Sequence, residues 1–311
     1  MSDAARGADE SGSGRLLAFA AMAFLWGVGW LPTKLALEVV PPIFFACVRF
    51  TLAALGFLAL AKLRGHSLRL ERPGRVLAAS LLITTACYAF VFWGVAHAPS
   101  GLAAVVNLGL MPIFLIGVGA AYGQERITPR RIAAIALGLA GLGLLFSGRL
   151  GAGGEGARTA LGLAAVAVGT LAYAWGSVVS RPLMRGTPPL VLAFWESGLG
   201  TLGLIPVSLI VEGWDPDRLT ALGDPRALFG IAVMVGGGSL IAFPVFLMLL
   251  RDWGAFRAGL YAFVSPVIAV LVGVLFAGER IDAAEAAGMA VTLAATALAL
   301  GGDRRAREGK P

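Results

Sequence analysis

Three charged side chains stand inside the long apolar runs of this 311-residue chain: the acid Glu196 and the bases Lys34 and Arg49. Charge at membrane depth costs several kcal/mol, so such residues face a cavity or a partner. Arg49 and Glu196 each lie seven residues from an end of their run, but from opposite ends, so each sits about 10 Å deep. In a hydrocarbon core about 30 Å thick they would be separated by about 10 Å along the normal, and no direct salt bridge is dictated. Lys34 stands near a run's end and is expected to snorkel to the interface. Glu196 suits either of two roles, which stay open: amine binding or proton coupling on one side, a structural hydrogen bond near the boundary on the other.

Around these charges lie residues suited to holding a small solute. Trp26, Tyr88, Asn107, Pro112, Ser239 and Pro266 sit near the centres of their runs, and Tyr173, Trp175 and Tyr261 within about two helical turns of them. A small-solute site is mostly apolar and aromatic with a few polar anchors. Trp and Tyr could stack on an aromatic side chain or meet an amine by cation–π contact, or they could simply pack between helices. Pro112 and Pro266 each remove a backbone donor, which frees the carbonyls of Leu108 and Ala262. Such carbonyls need a neighbouring helix or a wet cavity, and a kink that shapes the bundle is the alternative use.

Other chemistries lack their residues. The sequence contains no Gly-Lys-Ser/Thr, so a phosphate loop that hydrolyses ATP is excluded. His66 and His97 have no second ligand at metal spacing. Cys47 and Cys87 lie within apolar runs, as packing residues do, and no disulfide framework is expected. No nucleophile, dyad or metal set falls near a run's centre, so an enzyme is not expected.

The elements that position these residues follow from composition. Hydrophobic residues make up 58% of the chain and charged ones 14%, about half the charge of a soluble domain, and glycine is abundant at 43 residues. Apolar runs of spanning length fall at 16–37, 42–61, 76–97, 100–122, 130–148, 159–180, 189–211, 227–250, 257–277 and 283–301, which predicts an all-α integral membrane protein of ten transmembrane helices. The net charge of +7 forms no basic groove for nucleic acid. It sits in loops. With both termini cytoplasmic, 18 Lys and Arg fall in inner segments and 5 in outer ones, as the positive-inside rule requires. Gly119-x-x-x-Gly123, Gly138-x-x-Gly141 and Gly236-Gly237-Gly238 are expected to let helices approach closely, the last with possible bending.

The chain also repeats itself. Pro112 and Gly119 match Pro266 and Gly273 at an offset of 154, as do Glu125-Arg126-Ile127 and Glu279-Arg280-Ile281; Tyr261 then answers Asn107. Trp26-Gly27 matches Trp175-Gly176 at 149, and Pro41-Pro42 matches Pro188-Pro189 at 147, a register that sets Arg49 against Glu196. Five helices per unit is odd, so the second copy enters from the opposite face. The expected organisation is a tail (1–15), a first repeat (16–148), an outer linker (149–158), a second repeat (159–302) and a tail (303–311). Inverted repeats mark secondary transporters, which alternate access to a site near the midplane.

Ten helices in two five-helix repeats, Trp-Gly in the first helix of each, Pro-Pro followed by Arg49-Phe50 in the second helix, and Gly278-Glu279-Arg280-Ile281 before the last resemble the drug/metabolite transporter superfamily, as two EamA-type domains over residues 15–302. The resemblance implies a small-solute carrier of the cell's inner membrane with no covalent cofactor. It implies a cavity lined by helices three, four, eight and nine, joined by one and six. Within the superfamily the chain is similar to the aromatic amino-acid exporters typified by YddG, which implies export of aromatic or neutral amino acids; a drug, metabolite or nucleotide-sugar carrier is the alternative. The partners expected are the lipid bilayer and the solute, and a monomer suffices because each chain holds both halves.

Overall fold

The structure, a computed structural model, describes residues 3–98, 100–147, 156–277 and 281–308. No strand occurs among the described residues. Their ten long helices are α1 (Ser13–Leu37), α2 (Pro42–Leu63), α3 (Pro73–His97), α4 (Ser100–Ala121), α5 (Pro129–Leu145), α6 (Gly156–Ser180), α7 (Pro189–Val211), α8 (Pro225–Trp253), α9 (Ala255–Phe276) and α10 (Ala283–Glu308). Nine are long and apolar enough to cross a bilayer; α5, with 17 residues and a length of about 26 Å, is the shortest. Residues 149–155 of the predicted linker (149–158), Pro99, and Gly278-Glu279-Arg280 of the repeated turn lie outside the described residues.

Local sequence explains where these helices start and stop. α2, α3, α5, α7 and α8 all begin on proline, whose missing N–H costs nothing in the first turn. Thr128 caps α5 by accepting from the Arg131 amide (3.3 Å), and Asp224 caps α8 by accepting from the Arg226 amide (2.8 Å). The Arg226 guanidinium also hydrogen-bonds Asp224 and holds its carboxyl below the ordinary value. Gly123 does not serve the helix contact expected of it. It ends α4 at φ +67°, and a Cβ there would meet nothing within 4 Å, so its glycine is needed for a left-handed turn.

Helix pairing follows the repeat. α1 packs on α9 as α6 packs on α4, α2 packs on α8 as α7 packs on α3, and α1 meets α8 as α6 meets α3. Counterparts also meet directly: α2 with α7, α5 with α10 and α4 with α9. Each half therefore packs against the other through most of its helices. Glycine permits this closeness: a Cβ on Gly94 of α3 would lie 2.5 Å from the Gly162 carbonyl of α6, and one on Gly141 of α5 would lie 2.7 Å from the Thr292 amide of α10. The glycines of the two Trp-Gly pairs serve the same end, Gly27 against Ile268 and Gly176 against Ile83.

Two helices depart from α-winding at matching places. Leu81–Ala86 of α3 and Met234–Ile241 of α8 are π-helical, and their starts differ by 153 residues, close to the repeat offset. The bending expected at Gly236-Gly237-Gly238 takes this form. Such a stretch widens the helix and leaves carbonyls free for other partners.

Candidate substrate cavity

Between the halves lies a cavity of about 210 Å³, in the half of the bundle nearer the α1–α2 link and farther from the termini. Its walls come from α1, α3, α4, α6, α8 and α9, the six helices expected, and also from α2. Trp26, Tyr88, Asn107, Tyr173, Ser239 and Tyr261 all line it. The lining is otherwise mostly apolar, including Phe50, Phe92, Leu108, Met111 and Phe243.

An aromatic cluster forms its floor. The Trp26 ring lies 4.4 Å from Tyr261, edge on, and 5.5 Å from Phe246; Phe246 lies 5.8 Å from Tyr173 and 6.0 Å from Tyr261. Phe246 is fully buried, as are Leu250, Phe256 and Leu115 in the core that continues toward the termini. The Trp26 indole N–H donates to the Gly238 carbonyl at 2.9 Å, one of the groups in the π-helical stretch of α8. Asn107 is held at one end of its amide by the Thr170 hydroxyl at 2.9 Å.

Arg49 enters this wall from α2. Its Nε donates to the Ser239 hydroxyl at 3.2 Å, and its guanidinium carbon lies 4.8 Å from the Phe50 ring centroid and 5.7 Å from that of Tyr88. Only 8% of the residue is exposed. Sequence reasoning recognised the charge but did not assign it to the binding set. Its rarity at membrane depth was the available signal, but its direction depends on where α8 packs.

The other four sequence candidates lie elsewhere. Glu196 is fully buried among α3, α6 and α7: its Oε1 accepts from the Ser180 hydroxyl, its Oε2 has no partner among the described residues, and its backbone carbonyl accepts from Thr84. It does not pair with Arg49. Trp175 is 43% exposed and donates its indole N–H to the Tyr122 hydroxyl at 2.9 Å, facing away from the cavity. Pro112 and Pro266 are buried in α4 and α9 without lining the cavity, although the preceding residues, Met111 and Ser265, do line it. Of the carbonyls the prolines were expected to free, Leu108 belongs to a lining residue, while Ala262 is fully buried.

At the termini end a second arrangement joins the halves. Glu125, in the turn between α4 and α5, accepts from Arg131 Nη1 at 2.7 Å, from the Phe256 amide at 3.4 Å, and lies 3.8 Å from Arg181 Nη1. Its side chain is 4% exposed. One carboxylate thus ties the α4–α5 turn to the end of α6 and the start of α9. Gly254 is required beside it twice over, by its φ of +91° and because a Cβ there would collide with the Glu125 carboxylate. At the opposite end Glu212, closing α7, accepts from the first amides of α2, Ile43 at 2.6 Å and Phe44 at 2.9 Å.

The sequence profile of the EamA-like transporter family matches residues 13–147 and 160–301. The chain is 29% identical to the uncharacterized inner membrane transporter YedA of Escherichia coli strain K12, over 89% of this chain and 88% of that one. It is 23% identical to a probable amino-acid metabolite efflux pump of Salmonella typhimurium, over 87% of this chain and 89% of that one. One solved crystal structure superimposes with a TM-score of 0.79 at 24% identity, covering 94% of this chain and 98% of that chain.

Proposed function

The chain belongs to the EamA-like transporter family, and on that premise we propose that it exports small amphipathic solutes, aromatic or neutral amino acids foremost, by alternating access of two inverted repeats. It is a multi-pass membrane protein of a transporter family. The observation that carries the reading is the aromatic cavity of about 210 Å³ between the halves, walled by helices of both. That volume is below the roughly 300–1,000 Å³ of drug-sized sites and suits a solute the size of an amino acid better than a nucleotide sugar. The name of the Salmonella relative, an amino-acid metabolite efflux pump, points the same way.

In this reading the repeats span 16–148 and 159–302, both termini are cytoplasmic in the inner membrane, and one chain is the working unit without a cofactor. The conformation described is then open outward and closed inward by the aromatic floor and the Glu125 cluster. Trp26, Tyr88, Asn107, Tyr173, Ser239 and Tyr261 contact the solute, and Pro112 and Pro266 shape the helices that carry Asn107 and Tyr261. Glu196 acts away from the solute, as the candidate proton site.

Counterflow in liposomes tests the reading. Vesicles preloaded with unlabelled phenylalanine should transiently accumulate radiolabelled phenylalanine, as a carrier does and a channel does not. Absence of accumulation for every neutral and aromatic amino acid defeats it.

A further inference from the structure

We propose that Arg49 is the carboxylate-recognising residue of the cavity, and that the carrier selects monoanionic organic acids with an apolar or aromatic tail, for which an α-amino group is dispensable. This rests on the carrier reading above and names the chemistry its cavity selects.

Arg49 is the one charged residue among the described residues that line the cavity. A buried guanidinium is retained when something answers its charge. Among the described residues nothing does so. The Ser239 hydroxyl and the Phe50 and Tyr88 rings meet it, and all three are neutral. The buried acid of the spans, Glu196, is turned to Ser180 and does not reach the cavity. The charge is therefore left for the solute, and the planar fork of an arginine fits a carboxylate with two parallel hydrogen bonds.

The same wall is poorly matched to a cation. Among the described residues no carboxylate lines the cavity to receive an ammonium, which finds only the Asn107 amide, hydroxyls and aromatic faces. Those groups tolerate an amine without demanding one. A single fixed cation also balances one negative charge and leaves a second unanswered, which disfavours dicarboxylates and phosphate esters. The tail of the solute would lie on the floor of Trp26 and Tyr261.

The test is a competition series against labelled phenylalanine, with direct binding to the purified protein by calorimetry. The solutes are 3-phenylpropionate, which lacks the amine, phenylalaninamide, which lacks the carboxylate, and 2-phenylethylamine. 3-Phenylpropionate should bind and compete within about threefold of phenylalanine, while the two cations should be weaker by about 30-fold or more, the scale expected for losing one partner of a buried charge pair. In Arg49→Gln the amide and the acid should converge to within a few fold; a merely structural role for Arg49 would weaken all four solutes together. Phenylalaninamide equal to phenylalanine in the wild type overturns the proposal, and needs no variant to fold. Binding of 3-phenylpropionate without counterflow of any amino acid defeats the amino-acid reading and keeps carboxylate recognition. No binding by either acid at millimolar concentration overturns both.

Discussion

Trp26 Nε1 donates to the Gly238 carbonyl at 2.9 Å, joining residues 212 positions apart and from opposite halves of the chain. The carbonyl lies in the π-wound stretch Met234–Ile241, where the Ala242 amide donates to the Gly237 and Ser239 carbonyls and not to that of Gly238, and where Gly237 sits against Leu25 of α1. The bond fixes the indole in the floor, one residue before the Ser239 hydroxyl that accepts from Arg49.

Replacing Trp26 with Phe keeps a ring on the floor but orphans the carbonyl. A buried unpaired acceptor costs about 1–3 kcal/mol. Thermal inactivation of the purified protein should therefore occur at lower temperature than in the wild type, and affinity for phenylalanine should fall because Ser239 and Arg49 lose their register. Unchanged stability would show that the bond is replaced by water.

Glu125→Gln should loosen the termini end. The carboxylate is nearly buried but its arginines are partly exposed, so its loss is expected to be worth about 1–3 kcal/mol, or a shift of roughly 5- to 150-fold between two conformations. Cys87 lines the cavity and Cys47 does not, which supplies a native probe. In a Cys47→Ser background, a membrane-impermeant thiol reagent applied outside intact cells should label Cys87 at least ~5-fold more slowly once Glu125 is changed. An equal rate would remove Glu125 from the closing of that end.

Glu196→Gln separates coupling from binding. The carboxylate lies off the cavity against Ser180, so KM for the solute should stay within about twofold, as expected for a group with no solute contact. If Glu196 carries the coupled proton, the dependence of transport rate on pH should flatten across the range where the wild type varies. A pH profile superimposable on the wild type would leave the residue a structural role only.

The glycine seam between α3 and α6 predicts a contrast within one residue type. Gly94→Ala would place a methyl 2.5 Å from the Gly162 carbonyl and 3.0 Å from the Val166 amide, backbone groups that cannot rotate away. Overpacking of this kind costs about 1–3 kcal/mol. Gly117→Ala, with nothing within 4 Å, should be neutral or slightly stabilising near the end of α4. Thermal inactivation of the two variants side by side would show whether the seam sets helix spacing.

Much of the architecture was legible in the chain itself. Apolar length decides that helices cross a bilayer, because backbone groups in lipid must be satisfied within the segment, and each of the ten runs holds a long helix among the described residues. The Pro, Trp-Gly and Glu-Arg-Ile spacings disclosed the repeat, because duplicated helices keep the residues that set their kinks and close contacts. What the sequence could not decide is rotation about each helix axis. Trp175 and Trp26 occupy matching places in their repeats, yet Trp26 caps the cavity floor while Trp175 points outward to Tyr122. Arg49 and Glu196 match as well, yet one faces the cavity and the other Ser180. A helix that is apolar on every side carries no moment to say which face turns inward. That choice was made by the packing of α3 against α6 and of α2 against α8, and by the π-winding that packing allows.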